Sequence, residues 1–239
     1  MIGPAINFAV AEAYKLLRTN LLFSFSGEDK CHVVGVTSSF RSEGKSVTSI
    51  NLAYTLAQTQ KKVLLLEGDM RLPTIARRLS LAGTPGLSNL LAGLSEGSRC
   101  IQTYRTQVDD KEVFVDVLAS GDTPPNPSEL LGSERMGQLM EVLRKQYDYI
   151  IVDLPPVIAV SDPIVACKLV DGMIVIVRAE HSARDAVAET IRQLRQVDAH
   201  ILGFVFNGAG ENGGGYYRGK RYYRKSYYRK YYKSYQKND

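Results

Sequence analysis

The sequence has no long hydrophobic run and few cysteines, and each absence excludes a class of protein. No stretch of about 18 uncharged apolar residues occurs, so we expect no membrane-spanning helix. The first ten residues lack the basic start and the apolar length of a signal peptide. The three cysteines, Cys31, Cys100 and Cys167, are widely spaced and form no Cys-x-x-Cys pair. We therefore expect reduced thiols in a cytoplasmic protein, without a disulfide framework or a zinc site.

The charge of the chain is divided unevenly between its body and its C-terminus. Residues 216–239 contain nine Lys or Arg and one acid, a formal charge of +8, whereas the preceding residues contain 21 basic and 24 acidic ones, a charge of −3. The same tail contains nine of the 14 tyrosines and no aliphatic residue, so we expect it to be disordered. Residues 211–215, Glu-Asn-Gly-Gly-Gly, predict a flexible joint before it.

The apolar segments of the body predict one α/β domain over residues 1–211, followed by the joint and tail over 212–239. An apolar content of 44% and a charged content of 23% are ordinary for a globular protein. The strands are continuous apolar runs, which is typical of a mostly parallel sheet with helices on both faces. We predict strands over 32–38, 61–69, 113–120, 149–156, 172–178 and 199–207, and helices over 11–25, 46–58, 86–93, 124–147 and 183–197.

Residues 39–46, Ser-Phe-Arg-Ser-Glu-Gly-Lys-Ser, match the phosphate-binding pattern GxxxxGK[ST], except that Ser39 replaces the first glycine. They lie between a predicted strand and a predicted helix, where backbone N–H groups of the loop cradle phosphates. Lys45 would reach the β- and γ-phosphates, and Ser46 would bind Mg²⁺. A chance Gly-Lys-Ser before a helix is the alternative, and the strand–loop–helix context disfavours it. The expected nucleotide contacts of this loop are Ser42, Glu43, Gly44, Lys45, Ser46 and Val47.

Acidic residues lie towards the ends of two of the predicted strands. Asp153 ends the run Tyr-Ile-Ile-Val-Asp, the position of the acid that holds magnesium through water in P-loop proteins. Glu67 and Asp69 are two residues apart after another buried strand, so both can face the same side. The carboxyl edge of a parallel sheet is where α/β folds bind ligands. The alternatives are a turn-capping Asp153 and a solvated acid pair.

These three motifs together resemble the deviant P-loop ATPases, whose Walker A′ motif is the acidic strand end at Glu67 and Asp69. Within that group, the chain resembles the bacterial tyrosine kinases of capsule and exopolysaccharide synthesis over residues 11–235. Glu67 stands where the family usually has Asp, and Lys15 stands where its Glu-x2-Arg-x2-Arg helix has Arg. The blocks that carry the likeness, in order, are EAYKLLRTNL, GLSNLLAG, PPNPSELLGSERM, YDYIIVDLPPV, ILGFVFN and the tyrosine-rich tail.

The resemblance implies a non-specific protein-tyrosine kinase that uses ATP and Mg²⁺ and phosphorylates its own tail between subunits, to regulate polysaccharide synthesis and export. It implies that Glu67 accepts the proton of the tyrosine and that Lys45, Asp69 and Asp153 serve catalysis. It also implies that Asn207 lies on the adenine side, and the alternative for Asn207 is a turn residue at a strand end. Asp69 and Asp153 would hold the metal mostly through water, with Ser46 as a direct ligand. The expected phosphoacceptors are Tyr216, Tyr217, Tyr222, Tyr223, Tyr227, Tyr228, Tyr231, Tyr232 and Tyr235.

The resemblance also implies partners. These are a ring-like homo-oligomer, a separate transmembrane activator that recruits the protein to the inner face of the plasma membrane, an opposing tyrosine phosphatase, and protein substrates of polysaccharide synthesis. Glu12, Lys15 and Arg18 share roughly one helical face and are our candidates for the subunit contact. Intrahelical pairs on a solvated face are the alternative for these residues.

Two rival functions are less well supported. The first is an ATPase switch of the septum-placing or plasmid-partitioning kind without kinase activity, but Phe40 stands at the position of the signature lysine of those proteins. The second is a nucleic-acid-binding protein that uses the basic tail. The acidic body argues against a large nucleic-acid footprint, so no nucleic-acid partner is expected.

Overall fold

The computed structural model describes residues 8–25, 31–108 and 111–208, and the joint and tail predicted over 212–239 lie outside them. Within this part of the chain, seven strands form one sheet. The strands are β1 His32–Ser38, β2 Val63–Glu67, β3 Ile101–Val108, β4 Lys111–Leu118, β5 Tyr149–Asp153, β6 Gly172–Arg178 and β7 Ile201–Asn207. Their order across the sheet is β3-β4-β2-β5-β1-β6-β7.

The sheet is parallel except at one edge, where β3 pairs antiparallel with β4. The central strand β1 pairs with β5 on one side and with β6 on the other, both in parallel. Strands β1, β2 and β5 are buried along nearly their whole length, as their continuous apolar sequences predict. The mostly parallel α/β sheet predicted from the sequence is confirmed.

Helices cover both faces of the sheet, and alternate residues of β2 show the two layers. Leu65 belongs to one core cluster, with Leu52 and Leu56 of α2, whereas Leu64 and Leu66 belong to the other, with side chains of α7 and α9. The helices are α1 Phe8–Ser24, α2 Lys45–Ala57, α3 Ile75–Leu79, α4 Leu87–Leu91, α5 Gly97–Cys100, α6 Pro127–Leu131, α7 Glu134–Arg144, α8 Asp162–Ala166 and α9 Arg184–Gln196.

Several segments differ from the sequence prediction, and the short helices α3, α5 and α8 were not predicted. The helix expected over 124–147 is divided in two, because Ser133 caps the second helix by accepting a hydrogen bond from the Met136 N–H at 3.2 Å. The edge strand β3 was not predicted. Its sequence is mostly polar, and only a few of its side chains, among them Ile101 and Tyr104, pack on the core, so no continuous apolar run marks it.

None of the helices in the described ranges combines the length and the hydrophobicity that crossing a membrane requires.

Candidate functional site

The loop between β1 and α2 has the conformation that its glycine predicts. Gly44 has a φ of 102°, in the left-handed region, and a Cβ at this position would lie 2.1 Å from Nδ2 of Asn207. Asn207 donates from that nitrogen to the Glu43 carbonyl at 2.9 Å, so the end of β7 lies directly against the loop. Ser39 is fully buried, with its hydroxyl 2.9 Å from that of Thr190, and its φ is not positive. The first glycine of the pattern is therefore dispensable here.

Side chains from distant parts of the sequence fix the rest of the loop. The Glu43 carboxylate is fully buried and accepts hydrogen bonds from the Phe40 N–H at 2.9 Å and from the Ser182 hydroxyl. Arg178 donates to the Ser42 carbonyl at 2.6 Å. Glu43, predicted as a nucleotide contact, thus has its side chain bonded within the protein, where it fixes the conformation of the loop.

Lys45, the first residue of α2, forms an ion pair with Asp69 of the segment that follows β2. The distance from Nζ to Oδ2 is 2.7 Å, and the two side chains are only 11% and 3% exposed. Asp69 also accepts a hydrogen bond from the Leu72 N–H at 3.1 Å. The structure therefore brings together the loop lysine and one of the two predicted Walker A′ acids.

Asp153, at the end of β5, is buried beside this pair. Its Oδ1 accepts a hydrogen bond from the Ser49 hydroxyl at 3.1 Å, while its Oδ2 has no hydrogen-bond partner among the described residues. Burial raises the pKa of Asp153, and the charge of Lys45 opposes this effect. A buried carboxylate oxygen without a partner is suited to a metal-bound water.

The residues present fit Mg²⁺. Ser46, Asp69 and Asp153 offer oxygen atoms only, which is the donor set that this hard cation prefers. Residues 8–25, 31–108 and 111–208 contain no cluster of three or more His, Cys, Asp or Glu side chains arranged for a metal. Mg²⁺ is commonly held by one or two carboxylates together with the phosphates of a nucleotide, and Asp69 and Asp153 are carboxylates of the kind that such a site uses.

Glu67, the second predicted Walker A′ acid, accepts its hydrogen bonds from backbone N–H groups. Its Oε1 accepts hydrogen bonds from Thr74 and Ile75 at 2.5 and 2.6 Å, and its Oε2 accepts a longer one from Ser120 at 3.3 Å. The residue is fully buried. Burial raises the pKa of Glu67, and these N–H groups oppose the rise. Glu67 therefore joins the end of β2 to the start of α3.

A cavity of about 450 Å³ opens at this edge of the sheet, a size within the range of small-ligand sites. Glu43, Glu67 and Asp153 do not line it. The predicted residues that do are Ser42, Gly44, Lys45, Ser46, Val47, Asp69 and Asn207.

Three arginines that the sequence did not single out also line the cavity: Arg41, Arg78 and Arg178. Arg41 lies within the loop motif, so its place in the pattern was a usable signal. Arg78 and Arg178 belong to α3 and β6, and no motif marks them.

The predicted subunit contact lies on helix α1, which packs against α2 through its buried side. Lys15 pairs with Glu12 at 2.7 Å, and both side chains are about half exposed. Arg18 donates to the Thr55 carbonyl of α2 at 2.9 Å, within the same chain. The ion pair between Lys15 and Glu12 agrees with the alternative of intrahelical pairs, and a subunit contact through this face stays a prediction.

The fold and the cavity define a P-loop nucleotide-binding domain. A family model described as an AAA domain matches residues 42–203. The septum site-determining protein MinD of Pyrococcus horikoshii shares the fold, with a TM-score of 0.59 at 21% identity over 76% of this chain and 72% of that one.

Proteins with higher sequence identity to this chain narrow the class from P-loop domains to one family. Tyrosine-protein kinase YwqD of Bacillus subtilis is 35% identical over 198 residues, which are 83% of this chain and 81% of YwqD. Tyrosine-protein kinase CpsD of Streptococcus agalactiae is 32% identical over 84% of this chain and 83% of CpsD. The kinase domain of Escherichia coli ETK superposes with a TM-score of 0.78 at 32% identity, over 88% of this chain and 80% of that one. The chain belongs to the family of bacterial tyrosine-protein kinases.

Proposed function

We propose that this tyrosine kinase transfers the γ-phosphoryl group of ATP to the tyrosines of its own C-terminal tail, and that it does so between subunits. The observation that carries the proposal is the Lys45–Asp69 ion pair at the phosphate end of the cavity, with the unpartnered Asp153 oxygen behind it. Together these groups supply a cation for the phosphates and carboxylates for a metal. Phosphoryl transfer depends mainly on such positioning and charge stabilisation.

In the proposed reaction, the tyrosine oxygen attacks the γ-phosphorus and the bond to the β,γ-bridging oxygen breaks, so ADP leaves. The Lys45 ammonium group and the N–H groups of the loop neutralise the charge of the phosphates. Ser46, Asp69 and Asp153 would hold Mg²⁺, which supplies further positive charge at the β- and γ-phosphate oxygens when bound. Asn207 lies on the adenine side of the loop.

The phenolic proton needs an acceptor, because tyrosine has a pKa of about 10 and is neutral at pH 7. Glu67 is our proposed acceptor. An ionised carboxylate has about four lone-pair positions, and the three N–H groups leave one, on Oε2. The raised pKa of Glu67 brings it closer to the working pH of a general base. Because Glu67 does not line the cavity, this role requires the wall beside Thr74 to open when the tyrosine enters.

The tail is suited to serve as a tethered substrate. A random coil of its 24 residues spans about 27 Å, enough to enter a neighbouring site in a ring-like oligomer. Tethering raises the effective concentration of the tyrosines, so that a deep substrate pocket is unnecessary. The tail lies outside the described residues, and its use as substrate is supported by its sequence.

The similarity to other members of the family supports a proposal about partners. One similar structure, with a TM-score of 0.74 at 33% identity over 82% of this chain and 83% of that one, is of a chimerical protein named CapA2B2. For this chain we propose a separate transmembrane activator, which would bring a cytoplasmic kinase to the inner face of the membrane. An opposing phosphatase and protein substrates of capsule or exopolysaccharide synthesis complete the proposed system.

The proposal is tested by incubating the purified protein with γ-labelled ATP and Mg²⁺, followed by phosphoamino-acid analysis. We expect label on tyrosine. Release of free phosphate without labelled tyrosine would instead support the ATPase switch.

To test transfer between subunits, a variant with all nine tail tyrosines changed to Phe is mixed with the Lys45→Met protein. Label on the Lys45→Met chain is expected, and its absence, while the wild type labels itself, would contradict transfer between subunits.

A further inference from the structure

The order of the strands gives the nucleotide cavity two different ends. The loop after β1 lies near its middle, because the sheet runs β2-β5-β1-β6-β7. Asn207 and Arg178, at the ends of β7 and β6, line one side, and the residues that follow β2 line the other. A nucleotide with its base towards Asn207 therefore directs its terminal phosphate towards the β2 side.

Arg78 is a cation that the β2 side contributes to this cavity. It lies on α3, its side chain is exposed, and its guanidinium group makes no hydrogen bond or ion pair with any residue that the structure describes. Lys45 and Arg178, by contrast, already have partners, Asp69 and the Ser42 carbonyl. Arg78 can therefore bind an anion without first losing a protein contact.

The position of Arg78 on α3 is fixed by contacts between the start of α3 and the end of β2. Glu67 of β2 accepts hydrogen bonds from the N–H groups of Thr74 and Ile75, which begin α3. Arg78 follows one helical turn later, and its own N–H bonds to the Thr74 carbonyl at 3.0 Å. The apolar side chains of Ile75 and Leu79 are buried in the core and hold the helix against it. The backbone that carries Arg78 is thus anchored on the same strand as the Walker A′ acids.

We infer, on the basis of the proposed function, that Arg78 binds the terminal phosphate of ATP and determines the preference of the site for ATP over ADP. A guanidinium group is always charged and its forked N–H groups match two phosphate oxygens. The contact is made only by a nucleotide with a third phosphate, because the loop and the start of α2 already surround the phosphates nearer the base. Arg78 also adds positive charge where charge shifts during phosphoryl transfer.

The test compares Arg78→Gln with the matched control Arg77→Gln, a neighbour on the same helix that is exposed and does not line the cavity. Dissociation constants for ADP and for the β,γ-imido analogue of ATP are measured with Mg²⁺ by titration calorimetry on the full chain. We expect Arg78→Gln to weaken binding of the ATP analogue by about 10- to 100-fold and to leave ADP binding within about twofold, as for the loss of one charge-assisted hydrogen bond. Arg77→Gln should bind both nucleotides like the wild type.

The outcomes separate this inference from the proposed function. If Arg78→Gln weakens both nucleotides equally, Arg78 contacts a phosphate that ADP also has, and the inference is wrong. If neither constant changes while the wild type binds the ATP analogue and labels tyrosine, Arg78 has no role in nucleotide binding and the inference is wrong although the kinase assignment holds. If the wild type binds neither nucleotide, the proposed function itself fails.

Discussion

At the scale of single residues, the ion pair between Lys45 and Asp69 links the binding of phosphate to the binding of a metal ion. Lys45 and Asp69 are nearly buried and neutralise each other at 2.7 Å. A phosphate group that attracts Lys45 would free Asp69 for the metal, and a metal that attracts Asp69 would free Lys45 for phosphate. Nucleotide and Mg²⁺ should therefore bind more tightly together than either does alone.

Lys45→Met should abolish tyrosine labelling and lower the free energy of unfolding. The loss of stability should be about 3 kcal/mol, because Asp69 would remain buried without its counter-charge. The double variant Lys45→Met/Asp69→Asn should regain most of this stability and stay inactive. Urea unfolding and labelling with γ-labelled ATP measure the two effects. A single variant as stable as the wild type would contradict the role of the ion pair, and retained labelling would contradict the assignment of the loop.

Glu67→Gln should reduce the rate of transfer by about 10²- to 10⁴-fold if Glu67 accepts the tyrosine proton. Gln keeps an oxygen that can accept from Thr74 and Ile75, so α3 and nucleotide binding should be preserved. The control is Glu67→Asp, which retains a carboxylate and should retain most of the activity. Single-turnover labelling and calorimetry separate the rate from the binding. A Gln variant that transfers at the wild-type rate would show that Glu67 only positions α3.

Among the residues of the candidate site, those that belong to local motifs could be singled out from the sequence. Lys45 and Ser46 follow from the spacing of one loop, and Asp69 and Asp153 from their places after buried strands. Arg78 could not be predicted in this way, because its place in the cavity depends on how α3 packs after β2. The bond from Ser182 to Glu43 joins residues 139 positions apart, and only the folded sheet brings them together.

At the scale of elements, Asp171 holds the starts of β1 and β6 and the end of α7 together, at the edge of the sheet opposite the cavity. It accepts hydrogen bonds from the Val33 N–H of β1 at 2.7 Å and from both terminal nitrogens of Arg144, at the end of α7, at 2.8 and 2.9 Å. Burial would raise the pKa of Asp171, but the hydrogen bonds from Arg144 and Val33 outweigh it and hold the pKa below its usual range. The ionised form is thus the one that stabilises the fold.

Asp171→Asn should lower the free energy of unfolding by about 1–2 kcal/mol at pH 7, since the group is about one-third exposed. The pKa is lower in the folded protein, so this contribution is present above the ordinary Asp value of about 3.9 and is lost as the pH falls through the folded value. Urea unfolding at pH 7 and pH 3 should therefore give a difference between variant and wild type that shrinks at low pH. Glu141→Gln, an exposed site on the same helix α7, is the control. A difference that persists at pH 3 would contradict the electrostatic account.

Buried elements were easier to predict from the sequence than exposed ones. The strands β1, β2 and β5 read as continuous apolar runs because both their faces are covered. The edge strand β3 is mostly polar and is held partly by a side-chain bond from Thr103 to Asp116 of β4 at 2.7 Å, which no local pattern reveals.

At the scale of the whole molecule, the tail and the body have opposite charge. The tail carries a formal charge of +8 and the preceding residues carry −3, so the unmodified tail should be attracted to acidic surface of the same or a neighbouring subunit. Each phosphate adds about −1.5 to −2 charges. Four or five phosphates would bring the tail to about zero, and nine would bring it to about −6 to −10. Phosphorylation would therefore turn attraction into repulsion and loosen the assembly.

We predict that the oligomeric mass falls as the tail becomes phosphorylated. Size-exclusion chromatography with light scattering compares the Lys45→Met/Asp69→Asn protein, which cannot label itself, with fully phosphorylated wild type at about 0.05 M and 0.5 M salt. The difference should shrink at high salt, because the Debye length falls from more than 10 Å to a few Å. Replacing any one tail tyrosine with Phe should change the mass little, because bulk charge rather than a particular residue is responsible. An unchanged mass after full phosphorylation, or collapse of the assembly on replacing one tyrosine, would show that the tail does not act through its charge.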